Sequence, residues 1–175
     1  MKHYLILVLA LTLLLPSCKQ VEEEKVETLT AASTFYFIRH AEKDRSDANN
    51  RDPKLMTEGL ERAQKWREVL SNVKFDAIYS TDYNRTKETA QPTADANNLE
   101  LVSYDPSNLD GVAFLETNRG KNVLVVGHSN TTPMFVNAIL DSEKYPKMED
   151  DNNANLYILT VSGSGEIVDV LLKID

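Results

Sequence analysis

Asn122-Val123-Leu124-Val125-Val126 is an unbroken apolar run that opens into Gly127-His128-Ser129-Asn130 and then into Thr131 to Leu140. A β-branched run without polar alternation predicts a strand buried on both faces. Thr131 to Leu140 predicts a helix, with Pro133 in the first turn, where a missing N–H is tolerated. The same strand-to-helix unit recurs on either side. Thr34 to Ile38 predicts a strand. Thr57 to Val69 predicts an amphipathic helix, with Thr57 as its cap and Glu58 and Glu61 near its positive end. Phe75 to Tyr79 predicts a strand, Arg85 to Asn97 a helix interrupted or restarted near Pro92, and Leu99 to Tyr104 a short strand. Asp110 to Asn118 predicts a helix. Leu156 to Val161 and Ile167 to Ile174 predict two strands joined at Ser162-Gly163-Ser164-Gly165, a hairpin signal. The fold class is therefore α/β: a three-layer α/β/α sandwich around a mostly parallel sheet, with an antiparallel edge hairpin.

The chain has 175 residues, 19 basic and 27 acidic, for a formal charge of −8. Its composition is that of a globular protein, and the acidic balance excludes a protein that coats nucleic acid by neutralising phosphates. One cysteine permits no internal disulfide, and no Cys/His cluster offers a metal cage. That cysteine follows a particular leader. Met1-Lys2-His3 is a short basic start, and Tyr4 to Leu15 is apolar except for Thr12. This stretch is shorter than a membrane span of ~20 residues and has the size of a signal-peptide core. It ends in Leu15-Pro16-Ser17-Cys18, which resembles a bacterial lipobox, although Pro16 departs from the pattern. The expected division is a lipoprotein signal peptide at 1–17, an acidic tether at 18–32 and a folded domain at 33–175. Cys18 is the expected lipid attachment point. Acyl chains there would anchor the domain to a membrane of the cell envelope, on the periplasmic or the surface face. Glu22, Glu23, Glu24 and Glu27 mark the tether as solvated.

In a sheet of this type, ligands bind beyond the carboxyl ends of the strands. Three predicted strands end in chemically capable segments: Arg39-His40-Ala41-Glu42-Lys43, Ser80-Thr81-Asp82-Tyr83-Asn84-Arg85 followed by Thr89-Ala90, and Gly127-His128-Ser129-Asn130. Past the leader the chain holds two histidines, and both directly follow strands. Two arginines and two histidines at one sheet end suit a phosphoryl group. Arg39 and Arg85 supply planar donors to its oxygens. His128 adds another donor if protonated, and the helix starting near Thr131 points N–H groups at an anion. A neutral His40 can attack phosphorus and split one hard step into two.

Arg39-His40-Ala41-Glu42 resembles the RHG/RHA signature of the histidine phosphatase superfamily, the phosphoglycerate mutase-like fold. Ser80, Arg85 and Thr89-Ala90 resemble its S-x4-R-x3-TA segment, Gly127-His128-Ser129-Asn130 its second histidine motif, and Leu55-Met56-Thr57-Glu58-Gly59 its L-T-x-G lead into the first helix, with Met56 extra. The resemblance covers residues 34–175, and the short chain is similar to compact phosphohistidine phosphatases. It implies a phosphatase that needs no metal or other cofactor and works through a phosphohistidine on His40. Arg39, Arg85, His128 and Ser129 would bind substrate, a phosphorylated small molecule or phosphoprotein. The acid that protonates the leaving group is first sought at Asp105, with Asp110 and Glu116 as alternatives; each also reads as a solvated turn or helix acid. Compact relatives without such an acid suit a good leaving group, such as a phosphoramidate. The alternative to an enzyme is an inactive phosphate-binding surface lipoprotein on the same fold. Glu42 reads as orienting His40 or facing solvent, Lys43 and Arg45 as surface cations that attract an anion, and Ser80 as a phosphate neighbour or a turn cap. No sequence feature sets an oligomeric state.

Overall fold

The computed structural model describes residues 31–175, so the leader, Cys18 and all but two residues of the expected tether lie outside the described residues. Ten elements follow in order: β1 (Ser33–Arg39), α1 (Thr57–Val69), β2 (Ala77–Ser80), α2 (Asn84–Asn97), β3 (Leu101–Ser103), α3 (Gly111–Thr117), β4 (Asn122–Gly127), α4 (Thr131–Leu140), β5 (Asn155–Val161) and β6 (Ile167–Lys173). They form one six-stranded sheet in the order β3-β2-β4-β1-β5-β6. β3, β2, β4 and β1 run parallel, while β5 and β6 run antiparallel. The expected sandwich with an antiparallel edge is the observed architecture.

Alternation along the central strands makes two cores. Phe35, Phe37, Val123 and Val125 face one way and pack on Phe135, Val136 and Ile139 of α4, with Phe114 of α3 alongside. Ile38, Leu124 and Val126 face the other way and pack on Trp66 of α1, on Leu70 just past its end, and on Ala90 and Ala94 of α2. The apolar run of β4 is buried along both faces, as its composition requires.

Three sequence expectations are corrected here. Thr57 is the first residue of α1 rather than its cap; Met56 holds the cap position and offers no side-chain oxygen. Pro92 does not interrupt α2, which is one continuous helix. Thr86, Thr89, Ala90, Thr93 and Ala94 are buried on either side of the proline, so packing outweighs the lost backbone bond. The third strand is only three residues long, shorter than Leu99 to Tyr104.

Register places the site. Arg39 pairs with Gly127, and Ser80 pairs with Val126. Three parallel strands thus end level, and His40, His128 and Thr81 each follow at that shared edge.

Candidate active site

His40 is fixed on every side. Its N–H donates to Gly127 O at 2.9 Å, and its own carbonyl receives Asn153 Nδ2 at 2.7 Å. The ring Nδ1 lies 2.7 Å from Ala41 O. A carbonyl only accepts, so Nδ1 carries the proton and Nε2 keeps its lone pair. The residue is 4% exposed, and burial, reinforced by Arg39, His128 and Arg85, lowers its pKa to about 3. At neutral pH the ring is uncharged, with the Nε2 lone pair that a nucleophile requires.

His128 sits across from it, with ring centroids 5.5 Å apart. Its Nε2 is 2.9 Å from Thr81 Oγ1 and its Nδ1 is 3.3 Å from Arg85 NH2. The edge of its ring meets Tyr83, 5.0 Å between centroids. Burial and then Arg85 lower its pKa to about 4. The condition set for His128 as a cationic donor, a protonated ring, is thus disfavoured at neutral pH.

Arg85 lies over the Tyr83 ring at 4.4 Å, and its NH1 is 3.5 Å from Asp52 Oδ1. That distance marks an ion pair without a hydrogen bond, and both Nε and NH1 are buried and unbonded. Arg39 is 2% exposed and has a second task besides facing the histidines. Its NH1 donates to the carbonyls of Glu149, Asp150 and Asn152 at 2.9, 3.1 and 3.0 Å, and its NH2 meets Asp150 Oδ1 at 3.3 Å. Arg39 Nε is left buried and unbonded. Three buried guanidinium nitrogens thus have no hydrogen-bond partner, and the charge of both arginines acts on the His40 ring, an arrangement chemically suited to an anion. The adjoining cavity has a volume of about 660 Å³. His40, Lys43, Arg45, Met56 and Asn153 line it, with the carboxylates of Glu42 and residues 149–151.

The structure brings together His40, Arg39, Arg85 and His128, and leaves the three candidate acids outside. Asp105 is exposed, and its Oδ1 accepts from Ser107 N at 2.8 Å and Ser107 Oγ at 2.7 Å. These bonds make it a turn residue and hold its carboxyl below the usual range, the wrong direction for an acid. Asp110 caps α3 by accepting from Ala113 N at 3.0 Å. Glu116 pairs with Arg119 at 2.6 Å. Ser129 is half-buried beside His128, and its carbonyl accepts from Met148 N at 2.9 Å; no hydrogen bond links its hydroxyl to the two arginines or to His40. The start of α4 offers less than expected. Thr132 N–H already donates to His128 O at 3.0 Å and Pro133 has no N–H. Glu42 is partly exposed and pairs with Arg62 at 2.7 Å, with no hydrogen bond to His40. Ser80 Oγ donates to Thr81 O at 2.9 Å, the turn bond that its second reading expected.

Sequence reasoning quoted Thr81 without giving it a role, and assigned none to Asp52, Asn153 or Asp150. Asp52 accepts from Asn84 N at 2.8 Å, capping α2 from a distant loop while it faces Arg85. Asn153 carries no signal in the sequence. Asp150 falls in an acidic run that reads as a turn, yet its carboxylate also meets Arg45 at 2.8 Å. Among the described residues, no group of three or more His, Cys, Asp or Glu is placed to hold a metal ion.

Residues 35–106 match the family model of the histidine phosphatase superfamily (branch 1). The chain is 28% identical to phosphoserine phosphatase 1 of Hydrogenobacter thermophilus over 115 residues, which covers 63% of this chain and 46% of that protein. It thus spans less than half of that relative's length. Three solved structures share the fold. The phosphoserine phosphatase of Entamoeba histolytica, a histidine-to-alanine mutant in complex with phosphoserine, superposes with a TM-score of 0.60 at 16% identity, covering 79% of this chain and 95% of that one. The protein histidine phosphatase SixA complexed with tungstate gives 0.62 at 15% identity, covering 80% and 96%. Mycobacterial glucosyl-3-phosphoglycerate phosphatase gives 0.62 at 16%, covering 82% and 99%.

Proposed function

We propose, from the histidine phosphatase pattern that residues 35–106 carry, that this protein is a phosphatase acting through a phosphohistidine on His40. The observation that supports it most is the pairing of a neutral His40, Nδ1–H tied to Ala41 O and Nε2 lone pair retained, with buried unbonded donors on Arg39 and Arg85. The Nε2 lone pair attacks phosphorus as the bond to the leaving group breaks. Water then attacks the same phosphorus, the P–N bond breaks, phosphate leaves and His40 returns to its neutral form. The guanidinium groups stabilise charge on the equatorial oxygens, the term that dominates such transfers. They supply that charge without a metal. With none of the three sequence-named acids at the site, the chemistry suits leaving groups that need little help, such as aryl oxides or phosphoramidate nitrogens.

The test is hydrolysis of an aryl phosphate by the full-length chain with chelator present, beside His40→Ala. Turnover that survives chelator, disappears in the variant and passes through an acid-labile phosphoenzyme supports the reading. Turnover retained by His40→Ala overturns it, and phosphate binding without turnover favours a binding protein on the same fold. Phosphorylated small molecules and phosphoproteins are the substrate classes to compare. The sequence 15–18 further supports a lipid anchor on Cys18. Metabolic labelling with a fatty-acid probe, lost in Cys18→Ala, tests it.

A further inference from the structure

Thr81 is fully buried between α2 and His128, and nothing in the reaction above uses it. The hydrogen bonds around it fix every proton. Thr86 has one hydroxyl proton, and its Oγ1 lies 2.9 Å from both Thr81 O and Tyr83 O. Carbonyls only accept, so the Thr86 proton points at them. Thr81 Oγ1 is 3.0 Å from Thr86 Oγ1. Either hydroxyl could donate in that pair; with the Thr86 proton on a carbonyl, Thr81 is the donor wherever the two hydroxyls bond, and its own proton is then committed. Toward His128 Nε2, at 2.9 Å, Thr81 can only accept. Nε2 therefore carries a proton. The other side of the ring requires the same: Arg85 NH2 faces Nδ1 at 3.3 Å and can only donate, so Nδ1 holds the lone pair.

We propose that Thr81 is a positioning residue that holds His128 as the Nε2–H tautomer and turns its Nδ1 toward the anion receptor at Arg85. Only the kinetic consequence rests on the proposed phosphatase function. An Nδ1 lone pair repels a phosphoryl oxygen unless a proton lies between them. A phosphomonoester has its second pKa at ~6, so a bound monoanion brings that proton itself. Arg85, Arg39 and Lys43 surround the ring with positive charge, with Asp52 opposing them, and the His40 and Tyr83 rings complete its surroundings. A hydrogen-bond relay from Thr86 through Thr81 thus sets which face of His128 meets substrate.

The test reads the tautomer directly. The full-length chain has three histidines, so ¹⁵N-histidine labelling with long-range ¹H–¹⁵N correlation resolves each ring, with His128 assigned from His128→Asn. The expected result is Nε2 protonated in the wild type and in Thr81→Ser, and a mixed or Nδ1–H ring in Thr81→Val. A wild-type Nδ1–H signal overturns the proposal even if Thr81→Val fails to fold, as does an unchanged tautomer in a folded Thr81→Val. In kinetics, Thr81→Val should lose at least tenfold in kcat on an aryl phosphate, and Thr81→Ser should recover most of it. If no enzyme form turns over, the phosphatase reading fails while the spectra still decide the tautomer.

Discussion

Replacing Gly59 by alanine should destabilise the protein although it improves helix propensity. Gly59 lies in the first turn of α1, where the helix backs directly onto the chain leaving the nucleophile. A Cβ built there would sit 2.1 Å from Glu42 O and 3.0 Å from Glu42 C. Both are backbone atoms and no side chain can swing aside. Relief to ordinary contact requires about 1 Å of movement between α1 and the Glu42 peptide, whose carbonyl also accepts from Met56 N at 3.0 Å. Overpacking of this kind costs about 1–3 kcal/mol, sometimes more. Alanine returns about 1 kcal/mol of helix propensity. The steric term is at the top of its range because only backbone can yield, so the net loss should be about 2 kcal/mol. That lowers Tm by roughly 4–8 °C for a domain of this size. Urea unfolding should show a lower midpoint at unchanged slope. A Gly59→Ala protein within about 0.5 kcal/mol of wild type would refute the close approach.

Three further outcomes follow from the site. Arg85→Ala removes the unbonded donors over Tyr83 and should reduce kcat/KM on an aryl phosphate by about 10²–10³-fold; less than tenfold would remove Arg85 from the phosphate receptor. Asp105→Asn, altering a surface turn, should leave kcat/KM within about twofold, and a much larger loss would restore Asp105 as the proton donor. Burial lowers His40 to about 3 and His128 to about 4, whereas the unfolded chain protonates histidine near ~6.5. Their neutral burial therefore contributes stability that is fully present above ~6.5 and is lost as pH falls toward those lower values. Urea unfolding at stepped pH should give His128→Asn a shallower slope below ~6.5, by close to one proton or ~1.4 kcal/mol per pH unit; identical slopes would refute the lowered value.

The strand ends were legible because they depend on local pattern. An apolar run such as Val123 to Val126 has one comfortable place, mid-sheet, and the residue after it is then at the sheet edge. Arg39, His40 and His128 followed from that, and Arg85 from the motif that begins at the end of β2. What failed depended on distance through space. Asp105 was sought as the acid because the family resemblance puts one between Arg85 and His128, but Ser107, two residues on, captures its carboxylate. Asp52 and Asn153 come from loops whose paths no periodicity predicts. Pro92 was misjudged because a local rule was applied where the packing of Ala90 and Ala94 against the sheet prevails. Arg39 was read as a phosphate ligand, and its hold on the carbonyls of residues 149–152 was invisible from composition.

The bonds around His40 also say something about time. Its N–H is held by β4, its carbonyl by Asn153, and the next N–H, that of Ala41, by Thr89 Oγ1 at 2.9 Å on α2. Each bond reaches a different part of the chain, so freeing this stretch of backbone means parting it from β4, α2 and the loop of Asn153 together. Hydrogen exchange at the His40 and Ala41 amides should therefore be governed by the slowest opening of the whole domain. Any conformational step that limits the rate belongs to the borders of the cavity, where Asp150 and Arg45 are exposed.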